Sequence, residues 1–441
     1  MNQGKLTFKG GVHVPEYKEL AENKSIEVAE SPQFAYIPLH QHIGAPCDPL
    51  VNVGDRVTIG QKIGETGAFV SGAVHASIAG TVKEIKMMYT PTGAKAKCVV
   101  IENDGTDEMH ESVKGRNLDD LSPQEIISLV KESGITGMGG ASFPAHVKFS
   151  IPEDKKIDTV ILNGAECEPY LTGDHRLMLE EPEAIVFGLK AIKKALGVEK
   201  AYIGIENNKM DAVESIKKAI SPEDGIEVAV LQTKYPQGAE KSIIYAITGR
   251  SVGTGELPLE VGVVVSNVAT SKAIADAIQK GKPLYERVVT VTGRGIAEPK
   301  NLMVRIGTPF SELIKHSGGF KGKPGKVISG GPMMGIAQFT LDVPVIKGSG
   351  GILVLPEEEV KEEPVLPCIK CGKCLEVCPS GLQPLFISAY ALKNDVEKAD
   401  SYSAMACVEC GACSFICPAK RPLSESIRNI KKEIIAKRKK S

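Results

Sequence analysis

The sequence predicts a multidomain α/β protein. Apolar strand-like runs alternate with helix-period runs over residues 115–280, short glycine-punctuated strands fill residues 31–110, and eight of the eleven cysteines gather in two runs near the C-terminal end. At 441 residues the chain has room for about three domains. The 42% hydrophobic content is ordinary for a globular protein. A formal charge of −1 lacks the basic excess of a nucleic-acid binder, so no nucleic-acid partner is expected. No apolar run approaches the roughly 18–20 residues that span a bilayer, so no transmembrane segment is expected. The opening MNQGKLTFKG has no long apolar stretch and does not read as a secretory signal.

Residues 1–30 read as an irregular lead-in. Over 31–110, VNVGDRVTIGQKIGET and VHASIAGTVKEI alternate apolar and polar residues around Gly54, Gly60 and Gly64, which predicts a small all-β unit. Ser122-Pro-Gln-Glu125 is a capping box with Pro at the first helical position, and Gly134 stops the helix it opens. The α/β pattern follows. TVILNGAE, AYIGIEN, EVAVLQTKY and VGVVVSNV read as strands; PEAIVFGLKAIKKALG, MDAVESIKKAI, AEKSIIYAITG and SKAIADAIQKG read as helices. Such alternation implies a mostly parallel, Rossmann-like sheet covered on both faces. Residues 285–352 read as a small α+β unit, and a Pro- and Glu-rich linker leads to the cysteine domain at 356–425. The basic stretch 426–441 follows a helical period.

The cysteine runs are Cys368-x2-Cys371-x2-Cys374-x3-Cys378-Pro379 and Cys407-x2-Cys410-x2-Cys413-x3-Cys417-Pro418. Three closely spaced thiolates can wrap three irons of one cubane, while the fourth reaches the other cluster in two-cluster ferredoxins. This assigns Cys368, Cys371, Cys374 and Cys417 to one [4Fe–4S] cluster, and Cys407, Cys410, Cys413 and Cys378 to the second. Structural zinc also takes sets of four cysteines, but seldom in a triple run repeated with Cys-Pro endings. The segment between the runs reads as helical, so a helical ferredoxin module is expected.

Other motifs sit at loop positions. The stretch 134–148 carries Gly137, Gly139, Gly140, Phe143 and Lys148. Bare glycines let the backbone approach a phosphate or a flat ring, and consecutive N–H groups can cradle an anion. The spacing is not the dinucleotide fingerprint; a plain flexible turn is the alternative. Asn163, Glu166 and Glu168 follow the first parallel strand, where ligands of open α/β sheets bind; a solvated acidic loop is the bland reading. Tyr235, Gly238 and Glu240 follow the third strand, and Asn267 ends the fourth. His40, His42 and Cys47 are read as packing and turn residues.

The loops GMGGASFP, NGAECEP, YPQGAE and SNVAT resemble, in the same order, the flavin-site loops of the FMN- and NADH-binding subunit of respiratory complex I. The chain departs from that pattern at Ala165 and Ala239, where acids stand in complex I. End to end, with FKGGVH, ISGGPMMG and both cysteine runs, it more closely resembles the C subunits of Rnf-type ion-translocating electron-transport complexes. The resemblance implies FMN held by Gly137, Gly139, Gly140, Lys148, Asn163, Glu166, Tyr235, Gly238 and Asn267, and NADH near Phe143, Glu168 and Glu240. It implies a barrel-sandwich hybrid (biotinyl/lipoyl-like, without an acceptor lysine) at 31–110 and an SLBB-like β-grasp domain at 285–352. It implies electron relay between NAD(H), FMN and the two clusters, with membrane subunits and a ferredoxin-like subunit as partners. The place it implies is peripheral, on the cytoplasmic side of the bacterial cell membrane. The alternatives are a soluble flavin/iron–sulfur cobalamin reductase of a bacterial microcompartment and a flavin-free electron-relay subunit.

Overall fold

The computed structural model describes residues 6–360 and 363–440. Part of the lead-in, part of the Pro/Glu linker and the last residue of the basic stretch fall outside these.

The all-β unit consists of two facing antiparallel sheets. One orders the strands Phe34–Pro38, Lys95–Asn103, Gly80–Tyr89 and Arg56–Val57; the other orders Asp48–Pro49, Lys62–Glu65 and Val74–His75. Ala35, Ile37, Ile63, Val82, Val99 and Ile101 form the core between them, the inward half of a period-2 pattern.

The capping box forms as expected. Ser122 Oγ accepts from the Glu125 N–H at 3.3 Å, and the Glu125 carboxylate accepts from the Ser122 N–H at 2.8 Å, opening the helix Pro123–Glu132. The next sheet is entirely parallel, in the order Ile226–Leu231, Lys200–Glu206, Thr159–Gly164, Val263–Asn267. The chain moves outward through the first three strands and then returns to the opposite side of the first. The switch point therefore lies between Thr159–Gly164 and Val263–Asn267, and a crevice opens there at the carboxyl ends. Helices Pro182–Leu196, Met210–Ala219, Glu240–Thr248 and Val268–Gln279 match the four sequence-predicted helices, the last beginning three residues early. A further helix, Gly173–Glu180, was not expected.

The third sheet has six strands, in the order Ile26–Val28, Lys300–Arg305, Glu286–Thr292, Gly351–Pro356, Pro324–Ser329, Ile336–Ala337. The lead-in is thus not wholly irregular. Its strand Ile26–Val28 pairs in parallel with Asn301–Met303, and the buried Asn301 amide donates to the carbonyls of Ala21 (2.9 Å) and Lys24 (3.1 Å). The fully buried Lys347 donates through Nζ to the carbonyls of Ala73 and Gly134, both at 2.6 Å, tying the all-β, parallel and third-sheet units at one point. Burial lowers its ammonium to about 8.

The described residues from 363 on contain helices and no strand; the longest helix is Leu423–Lys440. Its Ile427, Ile430 and Ile434 pack with Ile387 and Ala399, the i, i+3, i+7 stripe of an amphipathic helix. No helix among the described residues is long and apolar enough to cross a membrane.

Candidate flavin crevice and cluster sites

Asn163 and Asn267 are register partners on the two switch-point strands. The Asn267 side chain caps the following helix, accepting from the Ala269 N–H at 2.9 Å, and its Nδ2 donates to Asp174 Oδ2 at 2.6 Å and to the Asn163 carbonyl at 3.3 Å. Asn163 Nδ2 donates to the Gly238 carbonyl at 2.7 Å. These bonds draw together the ends of three strands.

The glycine loop lies over them. The Gly137 N–H bonds the Phe143 carbonyl at 2.7 Å and the Met138 N–H bonds Thr270 Oγ1 at 2.9 Å, which anchors both sides of the loop. A Cβ on Gly139 would lie 3.3 Å from that of Asn267; Gly140 has φ +125° and faces open space. Gly139, Gly140 and Ala141 are exposed at the crevice. Lys148 reaches the same edge, 2.8 Å from the Glu240 carboxylate and 3.2 Å from the Val265 carbonyl. A bare backbone beside a lysine and two amides at a switch point has the chemistry to take a phosphate and a heteroaromatic ring.

The remaining expected residues are held elsewhere. Both Glu166 oxygens accept from the start of the helix Gly173–Glu180, from the Asp174 N–H at 2.7 Å and the His175 N–H at 3.1 Å. Its carboxylate thus serves the helix N-terminus, where negative charge is favoured. Glu168 turns to the third sheet's GGPMMG loop and accepts from the N–H groups of Met333 (3.2 Å) and Met334 (2.9 Å). Burial pushes its carboxyl up to about 7 against those two bonds. The buried Tyr235 donates its hydroxyl to the Cys410 carbonyl at 2.7 Å. Tyr235 thus lines the contact with the cysteine domain, while Glu168 faces the third sheet's loop.

Sequence reasoning missed Lys18. Its ammonium is buried, and donates to the carbonyls of Glu166 (2.9 Å), Glu168 (3.0 Å) and Leu171 (2.5 Å), fixing the acidic loop from the lead-in. Lys209 does the same from the other side, at 2.8 Å from the Ala165 carbonyl. A lysine about 150 residues away leaves no local signal.

The cysteines form the two crossed sets. Cys368, Cys371, Cys374 and Cys417 line one cavity. The thiols of Cys407, Cys410 and Cys413 are electrostatic neighbours of Cys378. Among the described residues no three His, Cys, Asp or Glu side chains converge tightly enough for a single metal ion. Four thiols per set, in runs with the spacing of two-cluster ferredoxins, suit a cubane. Amide N–H groups point at the sulfurs of Cys368 (from Lys370, 3.4 Å), Cys378 (from Leu382, 3.3 Å) and Cys407 (from Glu409, 3.4 Å), the kind of bond that tunes cluster potentials. The residues present therefore fit two [4Fe–4S] clusters.

The FKGGVH strap packs between the crevice domain and the second set. Val12 and Tyr235 exchange both backbone hydrogen bonds, at 2.7 and 2.8 Å, and the Gly11 N–H bonds the Val377 carbonyl at 2.8 Å. A Cβ on Gly10 (φ +86°) would fall 2.9 Å from the Cys378 carbonyl oxygen.

A switch-point crevice joined through Tyr235 to one of two four-cysteine sets defines an FMN-site and iron–sulfur protein of the electron-transfer class. Family profiles match in keeping with this: the RnfC barrel sandwich hybrid domain at residues 6–106, the Nuo51 FMN-binding domain at 130–276, the SLBB domain at 288–337 and a 4Fe-4S dicluster domain at 362–421. The chain is 52% identical over 441 residues to the C subunit of the Na(+)-translocating ferredoxin:NAD(+) oxidoreductase complex of Acetobacterium woodii, covering 100% of both. It is 50% identical to the C subunit of the proton-translocating ferredoxin:NAD(+) oxidoreductase complex of Clostridium ljungdahlii, covering 97% of this chain and 94% of that one. It is 41% identical to the C subunit of the ion-translocating oxidoreductase complex of Rhodobacter capsulatus, covering 96% and 82%. The chain belongs to the family of C subunits of ion-translocating ferredoxin:NAD(+) oxidoreductase complexes.

Proposed function

We propose that this chain exchanges electrons between NAD(H) and one-electron carriers within a membrane-bound, ion-translocating ferredoxin:NAD(+) oxidoreductase complex, as a peripheral subunit on the cytoplasmic side. The observation that carries the reading is the junction at Tyr235, which joins the crevice domain directly to the Cys378/Cys407/Cys410/Cys413 set. In the crevice, the exposed Gly139-Gly140 backbone, Lys148, Asn163, Gly238 and Asn267 would hold the FMN, with Phe143 and Glu240 at the nicotinamide side. A bound flavin supplies the conversion between two-electron and one-electron transfer that NAD(H) and a [4Fe–4S] cluster require. The chain's own work is positioning. Lys18 and Lys209 fix the acidic loop, Asn267 fixes the strand ends, and the strap holds the cysteine domain in place. Membrane subunits and a ferredoxin-like subunit are the partners this role requires.

The relatives do not favour the cobalamin-reductase or flavin-free readings. Anaerobic purification with FMN and iron quantified tests the proposal directly. One FMN and about eight irons per chain, with NADH bleaching the flavin band, is the expected result. About eight irons with no flavin after reconstitution would reject NAD(H) entry and leave an electron relay.

A further inference from the structure

The two cysteine sets meet solvent differently. Cys410 and Cys413 are buried; Cys410 packs with Val12 and Tyr235, and Met333 lies against them. Cys368 and Cys371, by contrast, are exposed. The backbone leading to them is exposed at every residue from Glu363 to Cys371, with Val365 at 57% and Ile369 at 68%. Lys370, Lys373 and Arg421 line the same cavity as the Cys368 set, and no acidic side chain lines it. Of the nearby acids, Glu363 pairs with Lys420 at 2.7 Å, and Glu376 lies at the far end of the short helix Lys373–Glu376.

We infer that this face, with Ile369 at its centre and Lys370, Lys373 and Arg421 at its rim, is the docking surface for an acidic iron–sulfur protein. The Cys378 set is then the inner one, turned toward the crevice. An apolar centre with a cationic rim is the anatomy of a transient, charge-steered contact, in which the rim charges set encounter and specificity. Cations ringing exposed thiols select a partner whose own redox centre is bordered by carboxylates. The inference rests on the reading of the cysteines as cluster ligands.

The test is calorimetric titration of the full chain, loaded anaerobically and with iron quantified, using a small acidic two-cluster ferredoxin as the probe. Expected is binding that weakens about tenfold or more between ~20 and ~200 mM salt. The variant K370E/K373E should lose about tenfold in affinity at the lower salt, compared at equal iron loading. Because those two lysines lie within a cysteine run, R421E, outside both runs, is the second variant and should act in the same direction. Salt-independent binding, or full affinity in R421E, overturns the docking surface while leaving the cluster reading intact. So does a charge-dependent affinity for anionic lipid vesicles with none for the ferredoxin. A chain that takes up no iron overturns both together, so the two failures are distinguishable.

Discussion

The hydroxyl of Tyr235 donates to the carbonyl of Cys410 at 2.7 Å, and the backbone of Tyr235 is bonded on both sides to Val12. One residue of the crevice domain thus holds a cysteine-run backbone and the N-terminal strap together. Tyr235→Phe keeps the buried ring and leaves that carbonyl unpaired, at about 1–2 kcal/mol. Hydrogen–deuterium exchange should quicken over residues 407–413 while FMN content is retained. Exchange at the parent rate would show that packing alone holds the junction.

Glu168, enclosed between the acidic loop and the Met333–Met334 amides, gives a pH signature. Burial raises its carboxyl to about 7 from an ordinary 4.5, with the two amides, Lys18 and Tyr235 pulling the other way. The folded chain therefore holds a proton that the unfolded chain has released between those values. Stability attributable to this group falls as pH rises through the window and stays low above it. Asp174 is shifted in the same direction, by burial and then by the charge of Glu166. Relative to the parent, Glu168→Gln should gain stability from pH 5 to pH 8, by about 1–3 kcal/mol. A Tm difference between the two proteins that does not change with pH would remove Glu168 from the titration.

Lys18 carries a sharper prediction. Lys18→Met leaves three carbonyls of the acidic loop without their shared donor. The expected loss is about 3 kcal/mol, with FMN released on dialysis under conditions in which the parent retains it. Parent-like Tm and flavin retention would show that Lys209 alone fixes the loop.

What could be read in advance divides by distance along the chain. The capping box at Ser122, the four parallel strands and the placement of Asn163 and Asn267 at strand ends follow from local pattern, because apolar period and cap chemistry act over a few residues. Glu166 was legible as a strand-end acid but not as the cap of Gly173–Glu180, whose low hydrophobic content hides its helical period. The lead-in looked irregular because its strand Ile26–Val28 pairs with residues about 275 positions away. Glu168 was read toward the crevice because a short acidic loop gives no sign of which neighbouring domain its carboxyl faces.

The strap itself is testable at Gly10, where φ is +86° and a Cβ would meet the Cys378 carbonyl at 2.9 Å. Gly10→Val should displace the Cys378 backbone and lower iron from about eight to about four per chain. Gly54 has a comparable φ of +97° but nothing within 4 Å, so Gly54→Val carries the backbone strain without the collision and should keep its iron. Full iron in Gly10→Val would mean that the strap yields instead.

Crossed ligation is separable from its uncrossed alternative because the two cysteine sets differ in exposure. Cys417 belongs by sequence to the second run, yet it lines the cavity of Cys368, Cys371 and Cys374; Cys378 belongs to the first run, yet neighbours Cys407, Cys410 and Cys413. An iron chelator reaches the exposed Cys368 side before the enclosed one, so iron should leave the parent in a fast and a slow phase of about four irons each. Under crossed ligation Cys417→Ser weakens the exposed cluster, and the fast phase alone accelerates or disappears. Cys378→Ser then changes only the slow phase. Uncrossed ligation exchanges the two results, with Cys417→Ser acting on the slow phase, because each run would then hold its own four irons.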